Sequence, residues 1–343
     1  MRRNDRGGTA VDGIAARRPA RGSRAVLGTL TAAGTLLALL LPTGPAGAAT
    51  PLNSHRSATP QRTAAAFWTA ARMRSATPLD LAAPARQHRT AVPRNAPLTV
   101  RPTLPGLPSL PVPRPTAAAQ PGGPWTGGGA VTKTAGRVFF TYQGRTASCS
   151  GDAVTSANKS TVVTAGHCVK LQGAWHTNWV FVPGYHDGQA PYGKWSAAKT
   201  LSTPQWTASE DINYDVGAAV VAPLDGKKLT DVVGGQGLSF NSGYNKTMYA
   251  FGYPAAAPYD GTKLIYCSGT TMKDPLFSHD HGLSCNMTGG SSGGPWFTSF
   301  DEKTGTGLQS SVNSFGYQFL PNTMFGPYFG DDAKNLYNTA QSS

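Results

Sequence analysis

The sequence predicts an all-β domain that follows a long N-terminal leader. From about Val131 onward, short apolar and β-branched runs alternate with Gly, Pro, Asn and Asp at the intervals typical of sandwiches and barrels. All four cysteines fall between Cys149 and Cys285, whereas 14 of the 27 prolines fall between Pro51 and Pro124. This difference in composition indicates a C-terminal part that can fold around a core and a proline-rich part that cannot offset its own ordering entropy.

The net charge is divided in the same way. Residues 1–124 hold 16 arginines against three aspartates, which accounts for the whole net charge of +13, and the 14 basic and 14 acidic residues of 125–343 cancel. A neutral domain lacks the basic patch that binds nucleic acid, so we expect no nucleic-acid partner. The 219 residues of this domain can bury one core or two packed halves.

Residues 1–49 have the features of a secretory signal peptide. An arginine-rich start precedes the apolar run Ala25–Leu41, and Ala46-Gly47-Ala48 supplies small residues at a cleavage site. Glycine and threonine interrupt the run, which is shorter than the roughly 20 apolar residues of a membrane span. We therefore predict a secreted, extracellular protein that keeps no membrane anchor after processing.

Residues 50–124 have the composition of a Pro/Ala/Arg-rich propeptide or linker. Proline recurs every few positions and culminates in residues 104–115, which favours extended polyproline II chain over packed elements and predicts a disordered leader. Residues Ala64–Arg74 suit a short helix that would chaperone or cover the domain. A flexible spacer, a removable propeptide and a permanent cell-wall stalk all fit this composition. Candidate cuts lie at Arg94, Arg101 and Arg114.

The domain, residues 125–343, contains eleven candidate strands, too many for one small sandwich. At its end, Asp331-Asp332 and apolar residues at i, i+3, i+4 and i+7 from Ala333 predict a short terminal helix. The candidate strands are Arg137–Tyr142, Ser148–Ser156, Ser160–Thr164, Trp179–Pro183, Trp195–Leu201, Val216–Ala222, Thr247–Gly252, Lys263–Ser268, Gly282–Asn286, Pro295–Thr298 and Gln309–Phe315.

Four cysteines in a secreted chain predict two disulfides, which allow three connectivities. The local pairing joins Cys149 to Cys168 and Cys267 to Cys285, and each loop of about twenty residues would add about 3 kcal/mol of stability. A zinc site is the alternative, but no two of these cysteines form a close Cys-x-x-Cys pair. We therefore expect neither a metal ion nor another cofactor.

Three segments carry residue types suited to nucleophilic hydrolysis. Thr288–Trp296 sets four glycines around Ser292, which permits a sharp turn that exposes a hydroxyl and adjacent N–H groups. His167 follows an apolar strand and precedes a cysteine, which would hold a general base in a fixed place. Asp215 leads into another apolar strand, where its charge would need a partner such as His167.

Other interpretations of the motifs are weaker. The serine segment also fits the Gly-x-Ser-x-Gly elbow of α/β-hydrolases, but that fold needs a histidine after the serine, and the last histidine is His281. His279-Asp-His281 could ligate a metal from alternate positions of a strand, yet its polar surroundings favour a solvated loop. Asp301-Glu302 and Asp331-Asp332 lack the ligand spacing of a calcium loop.

Thr164-Ala-Gly-His-Cys168, Asp215 before an apolar strand and Gly290-Ser-Ser-Gly-Gly-Pro295 resemble the serine proteases of the chymotrypsin family. The order His, Asp, Ser is similar to that of secreted trypsin-like and glutamyl-endopeptidase-like enzymes of actinobacteria. The resemblance covers residues 130–343. It implies two packed six-stranded antiparallel β-barrels with a short C-terminal helix, and a monomeric endopeptidase that acts on protein or peptide substrates.

The resemblance also implies a role for each site residue. Ser292 would attack the scissile carbonyl, His167 would transfer the proton and Asp215 would orient the imidazolium, with an acyl-enzyme intermediate. Backbone N–H groups of Gly290 and Ser292 would form the oxyanion hole. The substrate-binding residues would be Asn286, Asn313, Ser314, Phe315 and Gly316.

Three departures from the family pattern bear on regulation and specificity. Ser291 stands where the digestive enzymes carry the aspartate that receives the new N terminus, so we predict that any latency depends on the leader covering or misfolding the site. Asn286 replaces the aspartate of a trypsin-like pocket, and Asn313 replaces the histidine of glutamate-cleaving relatives. We therefore predict a neutral P1 side chain. The alternative function is a protease-fold binding protein without catalysis, which the filled triad positions disfavour.

Overall fold

The computed structural model of the chain describes residues 53–82, 95–105 and 118–343. The predicted signal peptide, the candidate cuts at Arg94 and Arg114 and the proline-dense residues 106–117 lie outside these ranges. No helix within the described ranges has the length and apolar character needed to cross a membrane.

The described parts of the leader pack against the domain, which departs from the extended chain predicted for residues 50–124. Trp68 is fully buried, lies 5.4 Å from the Phe139 ring and donates from Nε1 to the carbonyl oxygen of Asn178 at 2.6 Å. The predicted helix is present as two short helices with Trp68 between them. The leader elements are β1 (Ser54–Arg56), α1 (Gln61–Phe67), α2 (Ala70–Ser75), β2 (Thr77–Pro78), β3 (Leu81–Ala82), β4 (Leu98–Val100) and β5 (Gln120–Pro124).

The first half of the domain contains a closed antiparallel barrel. Its elements are α3 (Val131–Thr134), β6 (Ala135–Tyr142), β7 (Arg145–Ala153), β8 (Thr161–Thr164), β9 (Lys170–Leu171), β10 (Ala174–Trp175), β11 (Thr177–Pro183), β12 (Trp195–Ser202), α4 (Pro204–Ser209), β13 (Gly217–Val221) and α5 (Leu229–Val233). Six strands follow the order β12-β11-β6-β7-β8-β13, and β13 pairs back with β12. Strands β9 and β10 form a separate hairpin.

The strands of the second half are divided between two sheets. Its elements are β14 (Gly237–Phe240), β15 (Thr247–Gly252), β16 (Ile265–Thr270), β17 (Met272–Lys273), β18 (His281–Ser284), β19 (Pro295–Asp301), β20 (Thr306–Val312), β21 (Phe315–Gly316), β22 (Thr323–Gly326) and α6 (Asp331–Gln341). One sheet has the order β4-β14-β20-β19-β15-β16-β5 and the other β17-β18-β22-β21-β3. The chain passes from one sheet to the other at Asn313 and Ser314.

The all-β class and the terminal helix are confirmed. Helix α6 begins at the predicted Asp331 and buries the four apolar side chains of the predicted spacing, Ala333, Leu336, Tyr337 and Ala340. The cysteines have the local pairing, with S–S distances of 2.05 Å in both Cys149–Cys168 and Cys267–Cys285. The first disulfide joins β7 to the turn that follows β8, so it braces the segment around His167.

Candidate active site

His167 and Asp215 lie side by side because two neighbouring strands carry them. His167 follows β8, Asp215 precedes β13, and these strands pair with Thr164 opposite Gly217. His167 Nδ1 donates to Asp215 Oδ2 at 2.8 Å, and the backbone N–H of His167 donates to Asp215 Oδ1 at 2.8 Å. Both side chains are fully buried. The carboxylate therefore holds the ring and the backbone of the histidine together, and His167 Nε2 has no hydrogen-bond partner among the described residues.

Close packing explains the glycine that precedes the histidine. A Cβ atom at Gly166 would lie 2.7 Å from Cγ of Trp206 and 2.9 Å from Oδ1 of Asp215. Trp206 is itself fully buried, and its Nε1 donates to the carbonyl oxygen of Lys170 at 2.8 Å. Only a residue without a side chain lets the tryptophan and the carboxylate meet at this turn.

Ser292 lies in a tight turn that leads into β19. Gly290 and Gly293 have φ angles of +92° and +80°, in the left-handed region that favours glycine. A Cβ at Gly293 would lie 2.1 Å from Oγ1 of Thr164, the last residue of β8. The carbonyl oxygen of Ser292 accepts from the N–H of Ser150 in β7 at 2.7 Å. The turn is therefore held against the barrel strands that position His167.

Gly290, a predicted oxyanion donor, is already bonded to a peptide carbonyl. Its N–H donates to the carbonyl oxygen of Leu79, in the leader, at 3.0 Å. Its own carbonyl oxygen accepts from Ser150 Oγ at 2.9 Å, and that hydroxyl accepts from the N–H of Tyr253 at 2.9 Å. The two peptide groups that flank Gly290 are therefore each held by a hydrogen bond.

Two hydrogen bonds around the His167–Asp215 pair could not be read from local sequence. Ser314, predicted as a substrate-binding residue, donates from Oγ to Asp215 Oδ2 at 2.6 Å. His176, which motif analysis missed, donates from Nε2 to the carbonyl oxygen of His167 at 2.8 Å and stacks on Phe140 at 4.2 Å. Burial lowers the pKa of His176 to about 4. Its ring is therefore a neutral donor that supports the backbone of His167.

A cavity of about 760 Å³ opens beside Ser292. Four of the five predicted substrate-binding residues line it, namely Asn286, Ser314, Phe315 and Gly316. Among the described lining residues, the one charged side chain is Asp80 of the leader. The remaining lining residues are Leu81, Phe277, Cys285, Met287, Thr288, Gly289, Ser291, Tyr317, Gln318, Phe319, Leu320, Pro321, Asn322, Thr323 and Met324.

Asn313 does not lie with the other predicted substrate-binding residues. It is fully buried, and its amide is fully engaged. Nδ2 donates to the carbonyl oxygens of Phe251 at 2.8 Å and Ser291 at 3.0 Å, and Oδ1 accepts from Nε1 of Trp296 at 2.6 Å. Its side chain therefore braces the serine turn from behind.

The segment His279-Asp-His281 is buried, which corrects the prediction of a solvated loop. The three residues are 6%, 0% and 1% exposed, because His281 starts the paired strand β18 and Tyr244 packs over its ring at 5.0 Å. Burial, followed by the nearby carboxylate of Asp274, raises the pKa of Asp280 well above its ordinary value. Burial lowers the pKa of His281 to about 3. The imidazole of His281 is therefore neutral near pH 7.

Potential metal ligands come together at one place among the described residues. Atoms of Cys149, His167 and Cys168 lie within 4.8 Å of one another, but both sulfurs belong to a disulfide. Disulfide sulfurs lack the thiolate that binds metal ions.

Comparison with known proteins agrees with this geometry, although no family profile matches the chain. The chain is 48% identical to the protease Anisep of Arthrobacter nicotinovorans, with a TM-score of 0.59, over 62% of this chain and 96% of that one. It is 41% identical to the thermostable serine protease AL20 of an extremophilic microorganism, with a TM-score of 0.59, over 62% of this chain and 99% of that one.

Two further likenesses are more limited. A Glu endopeptidase is 15% identical with a TM-score of 0.52, over 66% of this chain and 99% of that one, and shows the fold alone. An extracellular metalloprotease of Bacillus subtilis (strain 168) is 45% identical over 62 residues, 18% of this chain and 20% of that protein. The chain thus spans about a fifth of that curated relative. Because this chain covers almost the whole of Anisep and of AL20 at 48% and 41% identity, it belongs to the serine proteases of the chymotrypsin family.

Proposed function

We propose that the protein is a secreted serine endopeptidase that hydrolyses peptide bonds in protein or peptide substrates through an acyl-enzyme intermediate. The observation that carries the proposal is the buried His167–Asp215 pair at 2.8 Å, whose Nε2 has no hydrogen-bond partner among the described residues. The turn of Ser292 is close by, because the carbonyl oxygen of Ser292 lies 3.6 Å from Sγ of Cys168, the residue after His167. A histidine held by a carboxylate on one nitrogen presents the other nitrogen as a proton acceptor.

In the proposed reaction, Ser292 Oγ attacks the substrate carbonyl carbon while His167 Nε2 takes the hydroxyl proton. The negative charge that develops on the carbonyl oxygen is stabilised by the N–H groups of Gly290 and Ser292. The imidazolium then returns the proton to the departing amine, which leaves an ester on Ser292. A water molecule then attacks the ester carbonyl while His167 takes its proton. The proton returns to Ser292 Oγ, and the carboxylic acid product is released. Asp215, itself held by Ser314, stabilises the imidazolium in both halves of the reaction.

Loss of either the nucleophile or the general base should have a large effect on the rate. Positioned proton transfer contributes about 10²–10⁴-fold to the rate, and one oxyanion donor about 10²–10³-fold. We therefore expect Ser292→Ala and His167→Ala each to reduce peptide hydrolysis by more than about 10³-fold without unfolding the protein.

Labelling by a fluorophosphonate tests the nucleophile directly. We expect the form recovered from the culture medium to be labelled at Ser292, as located by mass spectrometry of its peptides, and the Ser292→Ala form to remain unlabelled. Ser310→Ala is the matched control, because Ser310 Oγ is buried and has no hydrogen-bond partner among the described residues. A folded secreted form that does not react would instead support a binding protein without catalysis.

We further propose that the precursor is a zymogen with a signal peptide at 1–49, a propeptide at 50–124 and the protease domain at 125–343. Removal of residues 1–124 would remove the whole excess of +13 charges. N-terminal sequencing of the secreted form should therefore give a start between residues 115 and 131. A start near residue 50 would show that the leader is retained as a stalk.

A further inference from the structure

A segment of the leader crosses the cleft beside Ser292. Strand β2 pairs with β7, and the N–H of Leu79 donates to the carbonyl oxygen of Ser148 at 2.9 Å. The next peptide group then bonds the serine turn, because the carbonyl oxygen of Leu79 accepts from Gly290. Strand β3 continues onto β21, with Leu81 opposite Phe315. The leader thus lies as an extended peptide along both halves of the domain.

This pairing occupies one edge of a strand that the domain itself leaves open. Strand β21 pairs with β22 on one side and with β3 of the leader on the other. Without the leader, its outer N–H and C=O groups would form an unpaired edge beside the cavity. An unpaired edge of this kind binds an extended peptide through its main chain, and the neighbouring side-chain contacts give selectivity.

The side chain of Leu81 shows which chemistry the cavity accepts. It packs against an apolar cluster built around Phe315, Tyr317 and Phe325, with Phe277 and Leu320 at its margin. Four of these five residues also line the cavity, and among the described lining residues the domain contributes no charged side chain. A charged substrate group placed here would lose its hydration without gaining an ionic partner.

We propose that this cluster is a side-chain subsite of the protease for an aliphatic or aromatic residue of an extended peptide, and that Leu81 fills it in the precursor. The proposal rests on the proposed function of Ser292 and names the substrate class of the same site. It also assigns latency to one short segment, because residues 79–82 must leave before a substrate can pair with β21.

The first test compares labelling rates of the full chain by a fluorophosphonate. We expect Leu81→Asp to be labelled at least tenfold faster than the unchanged chain, because an aspartate cannot stay in the apolar subsite. Leu81→Met should be labelled as slowly as the unchanged chain, because methionine is also apolar. Leu98→Asp is the matched control, since Leu98 is a leader leucine in β4, is 42% exposed and does not line the cavity. Equal rates for Leu81→Asp and the unchanged chain would overturn the proposal.

The second test uses the secreted form and does not depend on the folding of the Leu81→Asp variant. A synthetic peptide with the sequence of residues 76–84 should slow the labelling of Ser292 at least tenfold at saturation, and the same peptide with aspartate at the Leu81 position should not. Equal effects of the two peptides, or no effect of either, would overturn the proposal while labelling itself upholds the proposed function. A secreted form that is never labelled would contradict the proposed function instead.

Discussion

Replacement of His176 by glutamine should remove a defined part of the pH dependence of stability. His176 is 3% exposed, and burial lowers the pKa of its ring from 6.5 to about 4 in the folded protein. The unfolded chain therefore binds a proton more readily than the folded one. The free energy of unfolding consequently falls as the pH drops below about 6.5, and the loss is complete below about pH 4.

The size of the effect follows from the two pKa values. A difference of 2.5 pKa units lowers the free energy of unfolding by about 3.4 kcal/mol once His176 is protonated in both the folded and the unfolded state. At pH 4.5 His176 is almost fully protonated in the unfolded chain but only about a quarter protonated in the folded protein. The free energy of unfolding has therefore fallen by about 2.5 kcal/mol. Glutamine stays neutral throughout and keeps an N–H group that can donate to the carbonyl oxygen of His167.

Urea unfolding at pH 7 and pH 4.5 measures this contribution. Both proteins should carry Ser292→Ala, so that self-digestion does not distort the curves. We expect the loss of stability between the two pH values to be about 2.5 kcal/mol smaller with His176→Gln than with the histidine. His281 is present in both proteins, so its own pH dependence cancels in the comparison. Equal losses for the two proteins would contradict this expectation, because they would mean that His176 keeps its ordinary pKa in the folded protein.

Three substitutions test other contacts. Ser314→Ala removes a hydrogen bond to the buried carboxylate of Asp215, worth about 1.5–3 kcal/mol, and should lower kcat ten- to hundredfold; a change in KM alone would show that Ser314 only contacts substrate. Gly293→Ala should cost at least about 1–3 kcal/mol in thermal unfolding because of its positive φ, and an unchanged Tm would contradict this. Trp68→Ala should lower the unfolding free energy of the full chain by about 3–5 kcal/mol, and an unchanged urea midpoint would show that the leader and the domain unfold separately.

Local pattern was sufficient for the longer elements of the domain. Strand β15 has the predicted bounds Thr247–Gly252, because its continuous apolar run is buried on both faces, with Met248 and Ala250 in one apolar cluster and Tyr249 and Phe251 in another. The predicted strand Gln309–Phe315 is instead interrupted, and its last residue belongs to β21. The interruption comes from side chains, since Asn313 bonds Trp296 and Ser314 bonds Asp215. Pairs so distant in sequence leave no periodic signal.

The same distinction applies to the candidate site, where sequence motifs identified some residues and tertiary contacts revealed others. The motifs pointed to His167, Asp215 and Ser292 because their chemistry restricts the residue types around them, and the structure brings the first two within hydrogen-bond distance. The support from His176 and the burial of His279-Asp-His281 depend on packing between segments that no motif links. Composition likewise favoured an unpacked leader, but a few apolar side chains, Trp68 above all, outweigh the prolines around them.

Residues 1–124 carry the entire excess charge of the chain, yet the described residues of the leader make no ionic contact with the domain. Arg74 donates to the backbone carbonyl of Asp187 at 3.4 Å, Arg72 lies over the Phe67 ring at 4.3 Å, and no described arginine of the leader forms an ion pair with a carboxylate. Strand pairing and apolar side chains therefore hold it in place. At 1 M NaCl, where the Debye length is about 3 Å, we expect the labelling rate of the full chain to change less than about twofold. A rate that rises steeply with salt would mean that charge attraction, and not the fit of Leu81, keeps the cleft closed.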